Sequence, residues 1–295
     1  MDNRVVVFGI NGQDGGYLRS LSRKRAREVV GVGRKDGDLS NFTYVCNLLL
    51  QLKPTHVFHL AANSTTRHDA LFENHATIST GAINILEAVR LHCPGCKVFI
   101  TGSGLQFVNL GHPISERDDF SATSAYSMSR IQSVYAARNY RSLGVKAYVG
   151  YLFHHDSPLR PEKHVSAMVA AAARRIAAGD KAPLLIGDMS VRKEWGHARD
   201  IVDGMWALLS QDEVFEATIG TGVDHSIQEW IEVCFSVVGL NWQDWTQQRD
   251  GFKAEYSRLV SDPNTMRGLG WAPKETLTSL AREMVSVPPS ALHCP

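Results

Sequence analysis

The sequence predicts an α/β fold, a doubly wound parallel sheet with a smaller C-terminal substrate-binding region. Three observations carry that expectation. Short β-rich apolar runs alternate with helical patterns through the first half of the chain. These runs are apolar almost throughout rather than at every second residue, as strands buried on both faces must be. The first of them, Val5-Val6-Val7-Phe8, runs into a glycine-spaced turn and then a helix. Such alternation demands a parallel sheet with helices on both faces, and places ligands at the carboxyl ends of the strands.

The elements follow in order. Residues 4–9 read as a buried strand, 17–27 as a helix and 28–33 as a second strand. Residues 42–52 are helical and 56–61 form a strand. A helix at 80–91 carries Ile83, Ile85, Leu86 and Val89 at helical spacing. A strand at 97–101, a helix at 126–142 and a strand at 145–152 complete the half. After about residue 155 the pattern changes. Helices at 165–178, 198–209, 227–238 and 276–285 are separated by loops rich in Gly, Asp, Pro and Trp. The expected division is 1–155 for a dinucleotide-binding domain, 156–287 for a substrate region partly interleaved with it, and 288–295 for a frayed tail.

Composition narrows the function classes. The 295 residues carry 31 Lys+Arg against 30 Asp+Glu, a formal net charge of +1. That balance leaves no electrostatic footprint for nucleic acid or an anionic membrane surface. With 44% hydrophobic and 21% charged residues the chain can fill a core. No apolar run approaches the roughly 20 residues that span a bilayer. Met1-Asp2-Asn3-Arg4 leads straight into the first strand without a signal-peptide layout, so the expectation is cytoplasmic. The five cysteines are an odd number in a chain too large to need staples, which fits a reducing compartment. Cys93-Pro94-Gly95-Cys96 has redox-motif spacing but follows a helix instead of opening one, and reads as a turn. His154 and His155 are adjacent, and no set of ligand-type residues has metal-site spacing, so no metal is expected.

Gly9-Ile10-Asn11-Gly12-Gln13-Asp14-Gly15 stands between the first strand and first helix. Glycines let backbone approach a pyrophosphate, and a helix N-terminus offers free N–H groups and a positive dipole. In this position the G-x-x-G-x-x-G spacing marks a Rossmann-type dinucleotide site. The second strand ends in Gly33-Arg34-Lys35-Asp36. Arg34 and Lys35 favour NADP(H), because a basic side chain there accommodates a 2′-phosphate; Asp36 and Asp38 keep NAD(H) open.

Tyr126-Ser127-Met128-Ser129-Arg130 opens a helix, so Tyr126 and Arg130 share one helix face. A cation beside a phenol stabilises the phenolate and suits it to proton exchange. Ser103, near the end of the preceding strand, can hold the reacting oxygen. This is acid/base equipment for hydride transfer between a carbinol or ketone and a nicotinamide.

At these residues the chain resembles the extended short-chain dehydrogenase/reductases, the NAD-dependent epimerase/dehydratase family. Within it the likeness is to GDP-mannose 4,6-dehydratases and GDP-6-deoxy-4-keto-hexose reductases. Beyond the glycine turn it rests on Gly37-Asp38-Leu39, His59-Leu60-Ala61-Ala62, Ser124-Ala125-Tyr126, Leu152-Phe153-His154-His155-Asp156-Ser157-Pro158 and Arg192-Lys193-Glu194-Trp195-Gly196-His197-Ala198-Arg199-Asp200. Thr221-Gly222 and Asp262-Pro263 add to it. The resemblance adds Leu39, Leu60, Ala61, Ala62, Leu152 and His155 to the cofactor residues. It implies a GDP-sugar substrate touched by Ser64, Leu105, Gln106, His154, Val165 and Trp195. It also implies a homodimer, or a tetramer, built on helices 80–91 and 126–142, with Ile131, Val134 and Tyr135 supplying the patch. Bottom-up, Arg160, Arg192, Lys253 and Arg258 can offer charge to a diphosphate, and Glu255 can accept from ribose or base.

Three departures shape the functional expectation. The resemblance implies a Glu where this chain has Leu105, and no acid occurs from 98 to 115. Leu cannot accept a proton, and losing a general base costs ~10²–10⁴-fold. The expectation is therefore an NADP(H)-dependent oxidoreductase acting at C4 of a GDP-linked 6-deoxy-4-keto hexose. The alternatives are a dehydratase with a displaced acid, such as Glu116 or Asp118, and a weak or inactive sugar-binding homologue. Arg130 stands where the family has Lys, which keeps the positive field but changes the shape of the group. Gly37-Asp38-Leu39 follows Arg34 almost at once, leaving hardly any room for the usual third strand.

Overall fold

The computed structural model describes residues 3–287 other than Ala26, Ser64, Asp250 and Lys253. Two expected substrate residues, Ser64 and Lys253, and the tail 288–295 thus lie outside the described residues. The first half runs β1 (Arg4–Phe8), α1 (Gln13–Lys24), β2 (Glu28–Val32), α2 (Phe42–Leu52), β3 (His56–His59), α3 (Leu71–Asn74), α4 (Gly81–His92), β4 (Lys97–Ser103), α5 (Ala125–Ser142) and β5 (Lys146–Leu152). The second half runs β6 (His155–Asp156), α6 (Val165–Ala177), β7 (Leu184–Ile186), β8 (Arg192–Glu194), β9 (Gly196–His197), α7 (Ala198–Leu209), β10 (Glu216–Ile219), β11 (Asp224–Ser226), α8 (Ile227–Val237), β12 (Thr246–Gln248), β13 (Arg258–Leu259), α9 (Asn264–Gly268) and α10 (Leu277–Ser286).

Six strands form one parallel sheet in the order β10-β5-β4-β3-β1-β2. The apolar runs explain it. Alternate residues of a strand face opposite sides, and here both sides are covered. Val6 and Phe8 join Val45, Leu49, Ile85, Leu86 and Val134 of α2, α4 and α5 in one core. Val5 and Val7 join Leu18 of α1 and Ile201, Met205 and Trp206 of α7 in another. The chain therefore returns to the large sheet late, through α7 and β10. A third core lies in the second half, where α6, α8 and α10 pack around Trp195, Trp230 and Phe235.

Two boundaries differ from the sequence reading in an informative way. The first helix begins at Gln13, not Tyr17, because Gly15 and Gly16 lie inside it. Glycine is a poor helix former, but a Cβ at Gly15 would sit 2.5 Å from the Ile10 carbonyl oxygen, so only glycine lets this first turn close on the strand. The helix expected at 80–91 continues backward through a π-helical stretch, His75–Thr80, into α3. The shortening after Arg34 has its counterpart in the sheet, where β2 forms the edge. Val134, expected on a subunit face, is fully buried in the core, whereas Tyr135 is exposed.

Candidate active site

The carboxyl ends of β1, β3, β4 and β5 converge on adjoining cavities. At the first, Gly9 has φ +92, and a Cβ there would lie 2.6 Å from the Ala61 nitrogen. Gly12 caps α1 without a side chain in the way. Beside this turn is a cavity of about 360 Å³, lined by Gly9, Asn11 and Gly12 from the turn and by Leu60, Ala61 and Ala62 after β3. Arg34, Asp38 and Leu39 line its far side. Arg34 is largely exposed and ion-paired with Glu73 at 2.8 Å. Asp38 accepts from the Ser40 backbone and hydroxyl, which hold its carboxyl below the usual range. Lys35 is exposed and is not part of this lining. A backbone cradle that side chains would fill, at a helix N-terminus, suits the diphosphate of a dinucleotide.

Ser103, Tyr126 and Arg130 line a second cavity of about 290 Å³ together with Leu105, Leu152, His154, His155 and Arg160. Ser124 caps α5 through a reciprocal pair with Ser127, which sets Tyr126 in the first turn. One turn on, the Arg130 guanidinium lies 5.1 Å from the Tyr126 ring centroid. Its Nη1 donates to the Thr101 carbonyl at 2.6 Å, tying the helix to the end of β4. Arg130 is almost wholly buried, and its Nε–H has no partner among the described residues. A buried donor left open costs stability unless a ligand or water takes it up. Under it, His59 is fully buried, donates from Nε2 to the Ile78 carbonyl, and is pushed down to about 4 by burial and by the Arg130 charge. Thr77 of the π-helical stretch reaches the first cavity.

Charged pairs frame the same cavity. His155 donates from Nδ1 to the Phe153 carbonyl at 2.7 Å and pairs through Nε2 with Asp14 at 2.9 Å. Burial opposes its charge, but Asp14 outweighs burial and raises its pKa; reciprocally, against its own burial, Asp14 is lowered by His155. Arg160 donates to Asp156 at 2.6 Å. His154 donates from Nδ1 to the Glu194 carbonyl and accepts from the Lys193 ammonium at 3.0 Å. Burial and that cation push His154 down to about 3, so it is neutral, and burial lowers Lys193 to about 8.

A third cavity of about 770 Å³ adjoins the second and contains Glu255, Leu105 and the loop Phe107–Gly111. Glu255 accepts from the Thr66 hydroxyl. The acids that could replace a residue at position 105 are engaged elsewhere. Glu116 accepts from Thr265 at 2.6 Å, and Asp118 accepts from the Ser115 backbone at 3.1 Å.

Several expected substrate residues stand apart from this cleft. Gln106 is buried and its Oε1 accepts from the Ser103 backbone at 2.8 Å, so it shapes the turn that follows β4. Trp195 is stacked on Trp230 at 4.6 Å inside the second-half core. Val165 opens α6 and packs on that core as well. Arg192 and Arg258 both pair with Asp224, at 2.6 and 2.7 Å, and Arg192 also pairs with Glu229 at 3.0 Å. The sequence reading passed over Thr101, Tyr256, Leu259, Asp224 and the buried carboxylate of Glu194. Tyr256 and Leu259 flank Glu255 and Arg258, which was the available signal. Nothing in the local sequence marks Asp224 as the counter-ion of two arginines.

Comparisons with known proteins show the family. The family model described as GDP-mannose 4,6 dehydratase matches residues 6–284. GDP-mannose 4,6 dehydratase 1 of Arabidopsis thaliana is 31% identical over 318 residues, covering 95% of this chain and 88% of that one. GDP-mannose 4,6 dehydratase of Homo sapiens is 25% identical, covering 96% and 90%. Among solved structures, RMD from Pseudomonas aeruginosa complexed with NADPH superposes with a TM-score of 0.84 at 22% identity, covering 96% of this chain and 98% of that one. UDP-glucose 4-epimerase of Thermus thermophilus, complexed with NAD, superposes at 0.82 with 21% identity, covering 96% and 98%. The chain belongs to the GDP-mannose 4,6 dehydratase family.

Proposed function

We propose that this protein is an oxidoreductase that interconverts a carbinol and a ketone at C4 of a GDP-linked 6-deoxy-4-keto hexose, with NADP(H) favoured and NAD(H) possible. The observation that carries this reading is the convergence of Ser103, Tyr126 and Arg130 on one cavity; the resemblance implies an eliminating base at the position of Leu105, which also lines it. Gly9, Gly12 and Gly15 would hold the dinucleotide, with Arg34 at its 2′ end and, on its nicotinamide side, the Arg130 Nε–H that has no partner among the described residues. A bound reduced nicotinamide supplies two electrons as hydride to C4. Ser103 and Tyr126 hold the ketone oxygen, and the Tyr126 hydroxyl gives the proton that completes the alcohol. Arg130 stabilises the phenolate left behind. Arg160 offers charge to the diphosphate, Arg192 and Arg258 can join it only by releasing Asp224, and Glu255 accepts from the nucleoside.

A second reading, a lyase acting on GDP-mannose, is favoured by the family and by the curated names of the relatives. Incubation with a GDP-4-keto-6-deoxyhexose plus NADPH, and separately with GDP-mannose, separates the two. Net NADPH loss in the first supports the oxidoreductase. A 4-keto product from GDP-mannose without net cofactor change overturns it in favour of the lyase. We also read the face of α4 and α5, where Ile83 and Tyr135 are exposed, as a homodimer contact. A monomer in sedimentation equilibrium would refute that.

A further inference from the structure

Three carboxylates stand near the end of β2, and two of them are held by their own loop. Asp36 accepts from the Gly33 backbone N–H at 2.6 Å. Asp38, which lines the dinucleotide cavity, accepts from the Ser40 backbone and hydroxyl at 2.8 and 2.7 Å. The third, Glu73, comes from α3, 39 residues from Arg34. Its Oε1 accepts from the Arg34 Nη2 at 2.8 Å, and its Oε2 accepts from the Asn63 amide at 2.9 Å. Asn63 directly follows Ala62, which lines the cavity after β3. Glu73 therefore ties the loop after β2 to the loop after β3, beside the cavity that both loops line. Residues 34–38 by themselves do not reveal this bridge.

A 2′-phosphate distinguishes NADP(H), and a basic side chain at the end of the second strand is what meets it. Here that side chain is Arg34, which lines the cavity with its guanidinium on Glu73. To engage a 2′-phosphate, Arg34 must leave Glu73 or share its N–H groups with a second anion. A phosphate monoester carries about 1.5 to 2 negative charges near neutrality, and two anions on one guanidinium repel each other. The Asn63 amide holds Glu73 from its other oxygen, which opposes its swinging aside. The ribose of NAD(H) asks less: its 2′-hydroxyl needs only an acceptor, and Asp38 is in the lining. We infer that Glu73 tunes the cofactor choice by competing with the 2′-phosphate for Arg34, so that NADP(H) is preferred less strongly than Arg34 alone would give. Glu73 is thus a positioning residue that acts through Arg34. This inference rests on the dinucleotide site proposed above and is independent of the chemistry at C4.

The intact protein is titrated with NADPH and with NADH in the absence of sugar, and Kd is read from cofactor fluorescence. Glu73→Gln removes the charge but keeps an amide oxygen for Asn63. It should tighten NADPH about two- to fivefold, the worth of an exposed ion pair, and leave NADH unchanged. The gain should shrink at high salt, where exposed charges are screened. Arg34→Ala should loosen NADPH about tenfold, as for a lost hydrogen bond to a charged group, again with NADH unchanged. Once Arg34 is gone, Glu73→Gln should have no further effect on NADPH. The thermal midpoint shows that each variant is folded. Unchanged or looser NADPH binding in Glu73→Gln overturns the competition, as does equal tightening of NADH. The same tightening in the Arg34→Ala background overturns the action through Arg34. Unchanged NADPH binding in Arg34→Ala overturns the placing of Arg34 at the 2′ end. Failure of the wild-type protein to bind either dinucleotide overturns the cofactor site itself, and the inference with it.

Discussion

Two basic clusters, one in each half of the molecule, hold their arginines in opposite ways. In the first, Arg130 is buried beside Tyr126, donates to a backbone carbonyl, and keeps an N–H without a partner among the described residues. In the second, Arg192 and Arg258 are Cα partners on neighbouring strands, and both are bound to the single carboxylate of Asp224. A burial cost accepted without a counter-ion points to a group held ready for something else. A guanidinium saturated by carboxylates is first of all a brace. Arg258 also donates to the Gly111 carbonyl at 2.6 Å, so the brace reaches the loop that walls the large cavity. Two basic clusters that look alike in sequence thus have different standing: one is open to a ligand, the other must exchange partners to meet one.

Breaking the first half at its reacting group should have the largest effect. Tyr126→Phe is expected to lower hydride transfer by ~10²–10⁴-fold, with dinucleotide affinity retained, in single-turnover absorbance measurements. A loss below tenfold would remove the phenol from the chemistry. Breaking the second half at its core tests the other side of the comparison. Trp230→Ala removes the ring on which Trp195 is stacked and should cost about 3–5 kcal/mol in urea unfolding, while leaving the Tyr126 cavity intact.

The brace itself is tested by Asp224→Asn, which takes the carboxylate from both arginines. Because Arg192 and Arg258 are partly exposed, the expected stability cost is about 1 kcal/mol or less. If these arginines meet the diphosphate, calorimetric titration with GDP should show tighter binding, about threefold to tenfold, as expected when a competing internal anion is removed. Unchanged affinity would mark the pair as structural alone.

The smallest expected effect is on pH dependence. The pKa of His155 is raised by Asp14, so its contribution to stability is complete below the unfolded value of about 6.5 and is lost as pH rises through the folded value. The pKa of Asp14 is lowered, so its contribution is present above about 3.9 and is lost as pH falls through its folded value. Thermal midpoints should therefore pass through a plateau between these limits, and Asp14→Asn should flatten both shoulders. Identical profiles for the two proteins would dissociate the pair from stability.

Much of the sheet was legible because its strands announce themselves. Val5-Val6-Val7-Phe8 and Val98-Phe99-Ile100 are continuous apolar runs, and only a strand covered on both faces uses such a run in full. The glycine turn, Ser103, Tyr126 and Arg130 were legible because each belongs to a short local pattern whose geometry the backbone enforces. Trp195, Gln106 and Val165 were expected to touch substrate on the strength of the family resemblance. Their side chains turn inward, because a stacked indole and a capping amide gain more from the core than from a cleft.

The amino-acid sequence by itself determined the parallel sheet, the dinucleotide turn and the Tyr126–Arg130 pair, since all three follow from periodicity and from spacing within one or two turns of chain. Only the tertiary structure decided which charges remain open. Asp224 meets Arg192 across 32 residues and Arg258 across 34, and Asp14 meets His155 across 141. It also brought Leu105, Tyr256 and Leu259 to the border shared by two cavities. Pairings over such separations are set by how helices and sheets pack, and electrostatic and apolar contacts of that kind leave no mark on the local sequence.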